Sequence, residues 1–454
     1  MDNIYNDKRN FFNEGNTLEY DFRLKQLKNL KQSIQDNESS IIEALKLDLS
    51  KPIFESYTGE IGIVYEELNH AIENLKKWME IKKVSTPLYL QPSSSYIYPQ
   101  PKGIVLIISP WNYPFQLAIS PLIGAIAAGN CIILKPSNKA TNTEQIISKI
   151  IKSCFPKEYI SVLEGPGSEV IDPLIKSYKF DHIFFTGSIP VGKNIMRLAA
   201  EDLTPITLEL GGKSPVIVHK DADLDNTAKK ITWAKYYNAG QTCISPDYLL
   251  VHQSIKEDLI LKIKGYILEY YGKEKRDNLS RIINQDRFNR LTELIKQGKI
   301  REGGEYDLSF KYISPTILDE INLDDDIMNE EIFGPIFPVL DYEDISEVEE
   351  IVNLNPYPLA LYLFTKDKNL EEYIIQNIRF GGGCINHTLS HLINPNLPFG
   401  GVGYSGMGQY HSKYSFDTFS HEKSILKSPG KLEPNFMYPP YTDTNLKIAK
   451  KFMK

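Results

Sequence analysis

Three polar residues of this 454-residue chain sit where chemistry can be done. Cys243, in NAGQTCISP, lies between a helical segment carrying Trp233 and Tyr237 and the apolar run DYLLV. A thiol in a glycine-containing loop can be exposed, and near a helix N-terminus its thiolate is favoured. Glu209, in TLELGGKSP, ends an apolar strand, a place where an α/β fold can put a general base. Asn112, in SPWNYPF, follows a strand and can aim its side-chain NH2 at a developing oxyanion. Each also has an ordinary structural reading: a small buried thiol, a paired carboxylate, and a turn asparagine.

A fourth stretch, DHIFFTGSIPVGKN at 181–194, carries Gly187, Gly192 and Lys193 at the spacing of a phosphate-binding P-loop. That pattern ends in Ser or Thr, whose hydroxyl ligates magnesium, and here the position is Asn194. What survives is a strand over His182 to Thr186, a tight Gly187-Ser188 turn and a helix starting near Val191. Such a helix start attracts any phosphate, a dinucleotide pyrophosphate as well as a triphosphate. GVGYSG at 401–406 fits G-x-G-x-x-G, but it lacks the strand–turn–helix context of a dinucleotide fingerprint.

The elements that must position these residues come from the apolar pattern. From Gly103 onward, buried runs (GIVLIIS, NCIILKPS, ISVLEG, HIFFTG) alternate with helical segments, as in β-α-β units with a parallel sheet covered on both faces. Ligands on such sheets bind at the strands' carboxyl ends, here Ser109-Pro110, Lys135-Pro136-Ser137, Gly165 and Thr186-Gly187-Ser188. A second α/β block starts after Leu210-Gly211-Gly212-Lys213, with strands SPVIV, DYLLV and PIFPVL. The first eighty residues are helical and charged, and 84–101 reads as two short strands around a Ser-rich turn. The stretch from Gln116 to Leu134 is apolar but interrupted by Ser120, Pro121, Gly124, Gly129 and Asn130, which fits a buried helix and a strand better than a membrane span.

The chain's length implies two or three domains. A formal net charge of -7 with no long basic stripe gives no case for nucleic acid. The polar N-terminus MDNIYNDKRN and the charged end LKIAKKFMK give no signal peptide and no transmembrane anchor, so a cytoplasmic location is expected. The four cysteines, Cys131, Cys154, Cys243 and Cys384, form no C-x-x-C pair, so neither a metal site nor a disulfide framework is expected.

SPWNYPF, KPS, FFTGS, LELGGKSP, GQTC, EEIFGP and LPFGGVGYSGMGQYH together, in this order and spacing, resemble NAD(P)-dependent aldehyde dehydrogenases over nearly the whole chain. The short N-terminus and MYPPYT resemble the class 3 branch, which oxidises medium- and long-chain aliphatic and aromatic aldehydes. The resemblance implies an α/β fold of three parts. They are a Rossmann-type NAD(P)-binding domain (1–82 and 103–210), a catalytic domain (211–390) and a small β bridging arm (83–102 and 391–425), with 426–454 as a C-terminal tail. In the family the arm completes a neighbouring subunit's sheet, so a homodimer is expected.

By similarity Cys243 is the nucleophile, Asn112 with the Cys243 backbone N–H stabilises the oxyanion, and Glu209 activates the water that hydrolyses the thioester. Lys135 matches the lysine that holds the adenosine ribose, Gly187 and Ser188 sit at the pyrophosphate turn, Glu331 matches the carboxylate at the nicotinamide ribose with Phe333 beside it, and Ser137, Gly192 and Leu210 are further cofactor-binding positions. Tyr113, Trp233 and Tyr237 match an apolar substrate entrance, with ordinary core packing as the alternative for each. Two departures stand out. Asn138 replaces the family's common Glu after Lys-Pro-Ser, which removes a repulsion toward a 2′-phosphate, so NAD is the expected cofactor with NADP tolerated. His411-Ser412 stands where Gly is usual, a change expected to touch turn geometry near the substrate mouth. The nearest rival is a CoA-acylating aldehyde dehydrogenase, and a reductase of acyl phosphates is another; neither needs Glu209. A P-loop nucleotidase is disfavoured by Asn194, and a structural role by the intact Cys243, Glu209 and Asn112.

Overall fold

The computed structural model describes residues 2–430 and 437–453. Among them, the apolar runs form the strands expected of them. Ile104–Ile108, Cys131–Lys135 and His182–Thr186 are buried along their whole length, as parallel strands covered on both faces must be. The first sheet runs, in spatial order, Gly406–Met407, Ile206–Glu209, His182–Thr186, Ile104–Ile108, Cys131–Lys135 and Ile160–Val162. All pairs are parallel except the first.

Between two of these strands runs the helix Gln116–Ala128, whose residues are all buried. It stops at Gly129, where φ is 87°, and a Cβ there would fall 2.5 Å from the Arg23 guanidinium, so only glycine suits the cap. The apolar stretch 116–134 is thus an internal helix followed by a strand. Among the described residues no helix is long and apolar enough to cross a membrane.

The second sheet is ordered Lys299–Glu302, Thr316–Asp319, Ile336–Tyr342, Tyr248–His252, Pro215–Val218, Ala360–Phe364 and Gly382–Ile385. It too is parallel, apart from its first, edge strand. A third sheet is antiparallel, with exposed outer strands Lys82–Val84 and Ser420–Lys427 flanking the half-buried Ser94–Pro101. The segment 391–425, expected to lie wholly in the arm, divides. Gly406–Met407 joins the edge of the first sheet beside Glu209, and only the strand Ser420–Lys427 joins the arm's sheet.

The helix after the Gly187-Ser188 turn spans Ile189–Ala200. It starts two residues before the expected Val191 because Ser188 is extended at its N-cap and Pro190 fits the first turn. In the tail, residues 431–436 and 454 lie outside the described residues. The rest of it is not simply an extended exposed run, for Asp443–Phe452 is a helix capped by the Thr442 hydroxyl.

The two large sheets meet in different ways. The first presents the loops that follow its strands, at 109–112, 187–190 and 210–213. The second presents loops that precede its strands, with Cys243 ahead of Tyr248–His252 and Glu331 ahead of Ile336–Tyr342. A cavity of about 650 Å³ opens between the two sets.

Candidate active site

Cys243, Glu209 and Asn112 all line this cavity. Cys243 follows the short turn Tyr237–Gly240, in which Asn238 and Ala239 adopt left-handed backbone conformations with φ of 53° at both. Among the described residues Cys243 lies in a turn and begins no helix. Burial, and then the carboxylates of Glu331 and Glu209, push the Cys243 thiol up to about 12, opposed in part by the backbone N–H groups of Cys243 and Ile244.

Glu209 closes the strand Ile206–Glu209, whose backbone is paired on both sides, by Thr186 and by Gly406. Its carboxyl is buried, and neither oxygen accepts a hydrogen bond from the described residues. Desolvation therefore holds its pKa well above the usual carboxylate range. A polar group so exposed to cost is normally satisfied; here it faces the reaction cavity, where a basic carboxylate is of use.

Asn112 donates from Nδ2 to the Gln241 carbonyl at 3.0 Å, leaving its second amide N–H for a ligand in the cavity. The loop ahead of Cys243 and the loop that carries Asn112 are thus tied to each other.

Gly187, Ser188 and Leu210 form one flank of the cavity, with the first turn of the Ile189–Ala200 helix. At Gly187 a Cβ would sit 2.5 Å from the Phe185 ring, so the backbone there can come close to a ligand. Glu331 and Phe333 form the opposite flank. The Glu331 carboxylate lies over Gly211, where a Cβ would be 2.2 Å from Oε2. Burial and nearby Asp247 push it up to about 8. Phe333, at φ 53°, meets Trp111 edge-on at 5.4 Å.

Three cofactor candidates do not line the cavity. Lys135 is buried, donates to the Pro136 carbonyl and pairs with Glu144 at 3.3 Å. Ser137 lies in the loop beyond it, accepting from the Lys139 N–H. Gly192 packs inward, with Leu210 2.7 Å from where its Cβ would be.

Of the entrance candidates, Trp233 and Tyr237 line a second cavity of about 790 Å³. Tyr113 lines neither; with Tyr237 and Leu117 it forms a small apolar cluster against which Trp233 packs. Leu117 faces the first cavity, so this cluster is the wall between the two. His411 and Ser412 line neither cavity: they anchor to Glu67 and His70 of the helix Gly62–Trp78 instead.

The cavity, lined by both a helix start and a thiol, is found in a chain whose sequence matches a known family. The aldehyde dehydrogenase family profile matches residues 2–425. The chain belongs to the aldehyde dehydrogenase family. It is 48% identical over 452 residues to the 4,4'-diaponeurosporen-aldehyde dehydrogenase of Staphylococcus aureus, covering 99% of this chain and 98% of that one. It is 43% identical to aldehyde dehydrogenase family 3 member B1 of Rattus norvegicus, covering 97% and 94%. The substrate-bound structure of a Staphylococcus aureus enzyme superposes with a TM-score of 0.97 at 47% identity, covering 100% of this chain and 99% of that one. A mutant P. syringae indole-3-acetaldehyde dehydrogenase in complex with NAD+ superposes at 0.85 with 28% identity, covering 93% and 88%.

This aldehyde dehydrogenase also uses residues that the motifs did not single out. Lys213 bonds the Asp247 carboxylate and donates to the carbonyls of Ile327 (2.8 Å) and Glu330 (3.0 Å), while Asp247 accepts from the Ile332 N–H at 2.9 Å. Arg290 donates to the carbonyls of Glu331 (2.6 Å) and Ile332 (2.8 Å). Together they clamp the backbone around Glu331. Lys213 was legible as part of LGGKSP, and Arg290 carried no signal at all. GVGYSG, dismissed as a fingerprint, turns out to brace Glu209: Leu210 donates to the Ser405 carbonyl at 3.0 Å, and Tyr404 lines the cavity.

Proposed function

We propose that this aldehyde dehydrogenase oxidises long, apolar aldehydes to carboxylic acids with NAD, accepts NADP as well, and releases the acid by hydrolysis. The observation that carries the reading is the convergence of Cys243, Glu209 and Asn112 on one cavity that is also lined by a helix N-terminus.

The residues around that cavity suit a dinucleotide. Ser188 and the first turn of Ile189–Ala200 offer backbone N–H groups to a pyrophosphate, Gly187, whose own N–H donates to the Glu209 carbonyl at 3.0 Å, and Leu210 lie beside them, and the clamped Glu331 with Phe333 suits a ribose. Lys135 and Ser137, set back from the cavity, are assigned to the adenosine side. When bound, the nicotinamide ring supplies the hydride acceptor. Cys243 Sγ, as the thiolate, forms the bond to the aldehyde carbon, and the Asn112 amide N–H meets the oxyanion. Once the hydride has left, the acyl group remains on sulfur as a thioester. Glu209 takes a proton from water, whose oxygen attacks that carbon and expels the thiolate.

Tolerance of NADP is supported by the neutral Asn138 and by Lys139 next to it, whose amine feels the Arg287 guanidinium. The apolar substrate class is supported by the wall of Tyr113, Leu117, Trp233 and Tyr237, and by the name of the Staphylococcus aureus relative, a dehydrogenase of a diaponeurosporen aldehyde. The outer edge of Ser420–Lys427 has no neighbouring strand among the described residues; a second copy pairing there would make the homodimer. We assign 1–82 and 103–210 to the cofactor, 211–390 to catalysis and the protein to the cytoplasm.

The test is formation of reduced nicotinamide from hexanal, a long-chain and an aromatic aldehyde, with NAD and NADP, with and without CoA. Acid formed without CoA and abolished in Cys243→Ala is the expected result. Turnover only with CoA would overturn the hydrolytic reading in favour of the acylating one.

A further inference from the structure

The peptide that carries Asn112 is gripped by groups with no part in the chemistry above. Lys51 and Glu60 form an ion pair whose side chains are both 0% exposed. Lys51 Nζ also donates to the Asn112 carbonyl at 3.2 Å and sits 4.3 Å from the centre of the Tyr113 ring. The second Glu60 oxygen accepts the N–H groups of Phe115 and Gln116, each at 3.0 Å. The pair therefore spans the turn, one end on the carbonyl of residue 112 and the other at the start of the Gln116–Ala128 helix.

A second set of bonds joins this turn to the thiol loop. Asn238 Nδ2 donates both to the Asn112 carbonyl (2.9 Å) and to the Gln241 carbonyl (3.1 Å), and Asn112 Nδ2 donates to that same Gln241 carbonyl. The strained Asn238 is itself fixed, its N–H donating to Glu55 at 3.0 Å. Glu60 belongs to a single π-helical turn, Tyr57–Ile61, an arrangement rare in helices and frequent at functional sites. Gly59 in that turn lets the backbone press on Tyr237 and Tyr113, where a Cβ would be 2.7 Å from the Tyr237 hydroxyl.

Stability alone does not account for the ion pair. A buried pair pays heavily in desolvation, and apolar replacements of like volume are often neutral or stabilising. Orientation does account for it. An oxyanion donor acts only when its N–H is aimed at the developing charge, and small displacements cost large factors in rate.

We propose that Lys51, through its pair with Glu60, is a positioning residue that locks the Asn112 peptide to the Cys243 loop and affects the reaction only through Asn112. This rests on the reading of Asn112 as the oxyanion donor.

The test is a double-mutant cycle on the full-length protein with NAD and a long-chain aldehyde. Lys51→Met/Glu60→Gln, which removes both charges of the pair, is crossed with Asn112→Ala. The readouts are the pre-steady-state rate of reduced-nicotinamide formation, KM for NAD and the melting temperature. The expected result for the paired replacement is a rate at least about tenfold slower with KM for NAD within about twofold. In the Asn112→Ala background, itself slowed about a hundredfold or more, the replacement should add less than about twofold. A full, independent loss in that background, or no loss in the otherwise native protein, overturns the proposal while leaving the role of Asn112 intact. An Asn112→Ala enzyme of normal rate overturns the underlying reading instead. Should the paired replacement fail to fold, Glu60→Gln alone carries the same cycle, with the same non-additivity expected.

Discussion

Replacing Glu209 with Gln separates the two halves of the reaction. The side chain keeps its shape and loses its basicity, and because neither carboxyl oxygen is hydrogen-bonded by the described residues, no protein contact is lost. A positioned general base contributes about 10²- to 10⁴-fold, and here that factor falls on thioester hydrolysis alone. Rapid mixing with aldehyde and NAD should therefore give a burst of reduced nicotinamide near one equivalent per site, followed by turnover slowed at least a hundredfold or so. The raised pKa of Glu209 also carries a stability consequence. The unfolded carboxyl loses its proton near pH 4.3 (a typical glutamate value, roughly), whereas the folded one keeps it to higher pH. The unfolded state thus binds fewer protons in this window, and Glu209 lowers stability as pH rises through it. Glu209→Gln lacks that loss, so its melting temperature relative to the parent should climb as the pH rises above about 4.3. Loss of burst and turnover in parallel would refute the assignment to hydrolysis, and a relative melting temperature independent of pH would refute the desolvation argument.

Restoring the carboxylate with Asn138→Glu should shift kcat/KM toward NAD, and a parent enzyme already favouring NAD by more than about a hundredfold (~2.7 kcal/mol) would remove the basis for NADP tolerance. Gly59→Ala places a methyl 2.7 Å from the Tyr237 hydroxyl and 3.3 Å from the Tyr113 ring. Overpacking of that kind typically costs about 1–3 kcal/mol, so thermal melting should drop and KM for a long aldehyde should rise more than KM for NAD. Glu331→Gln removes the carboxylate that, after burial, does most to raise the Cys243 thiol. Alkylation of Cys243 by iodoacetamide at pH 8 should accelerate in the free enzyme, and an unchanged rate would show that burial alone sets the thiol.

What the sequence made legible follows from where the signal is carried. Strands of the first sheet were readable because burial on both faces forces continuous apolar runs such as IVLII and HIFFT, and the groups at their carboxyl ends could be placed with them. Cys243 and Glu331 were readable only through GQTC and EEIFGP. They precede their strands in the second sheet, so no strand-end rule reaches them. The thiolate is disfavoured at Cys243 because the thiol is buried, and because two carboxylates converge on it from far along the chain, Glu331 88 residues after it and Glu209 34 residues before it; the left-handed residues of the preceding turn give no helix start there. Lys51 and Glu60 were invisible for a different reason. A lysine and a glutamate among the charged helices of the first eighty residues look like solvent-facing groups, and only a π turn, which no periodicity announces, swings Glu60 inward to meet Lys51 over Asn112. The positions that hold an active site in register are set by backbone irregularities and long-range closure, and these leave the ordinary composition of a helix surface unchanged.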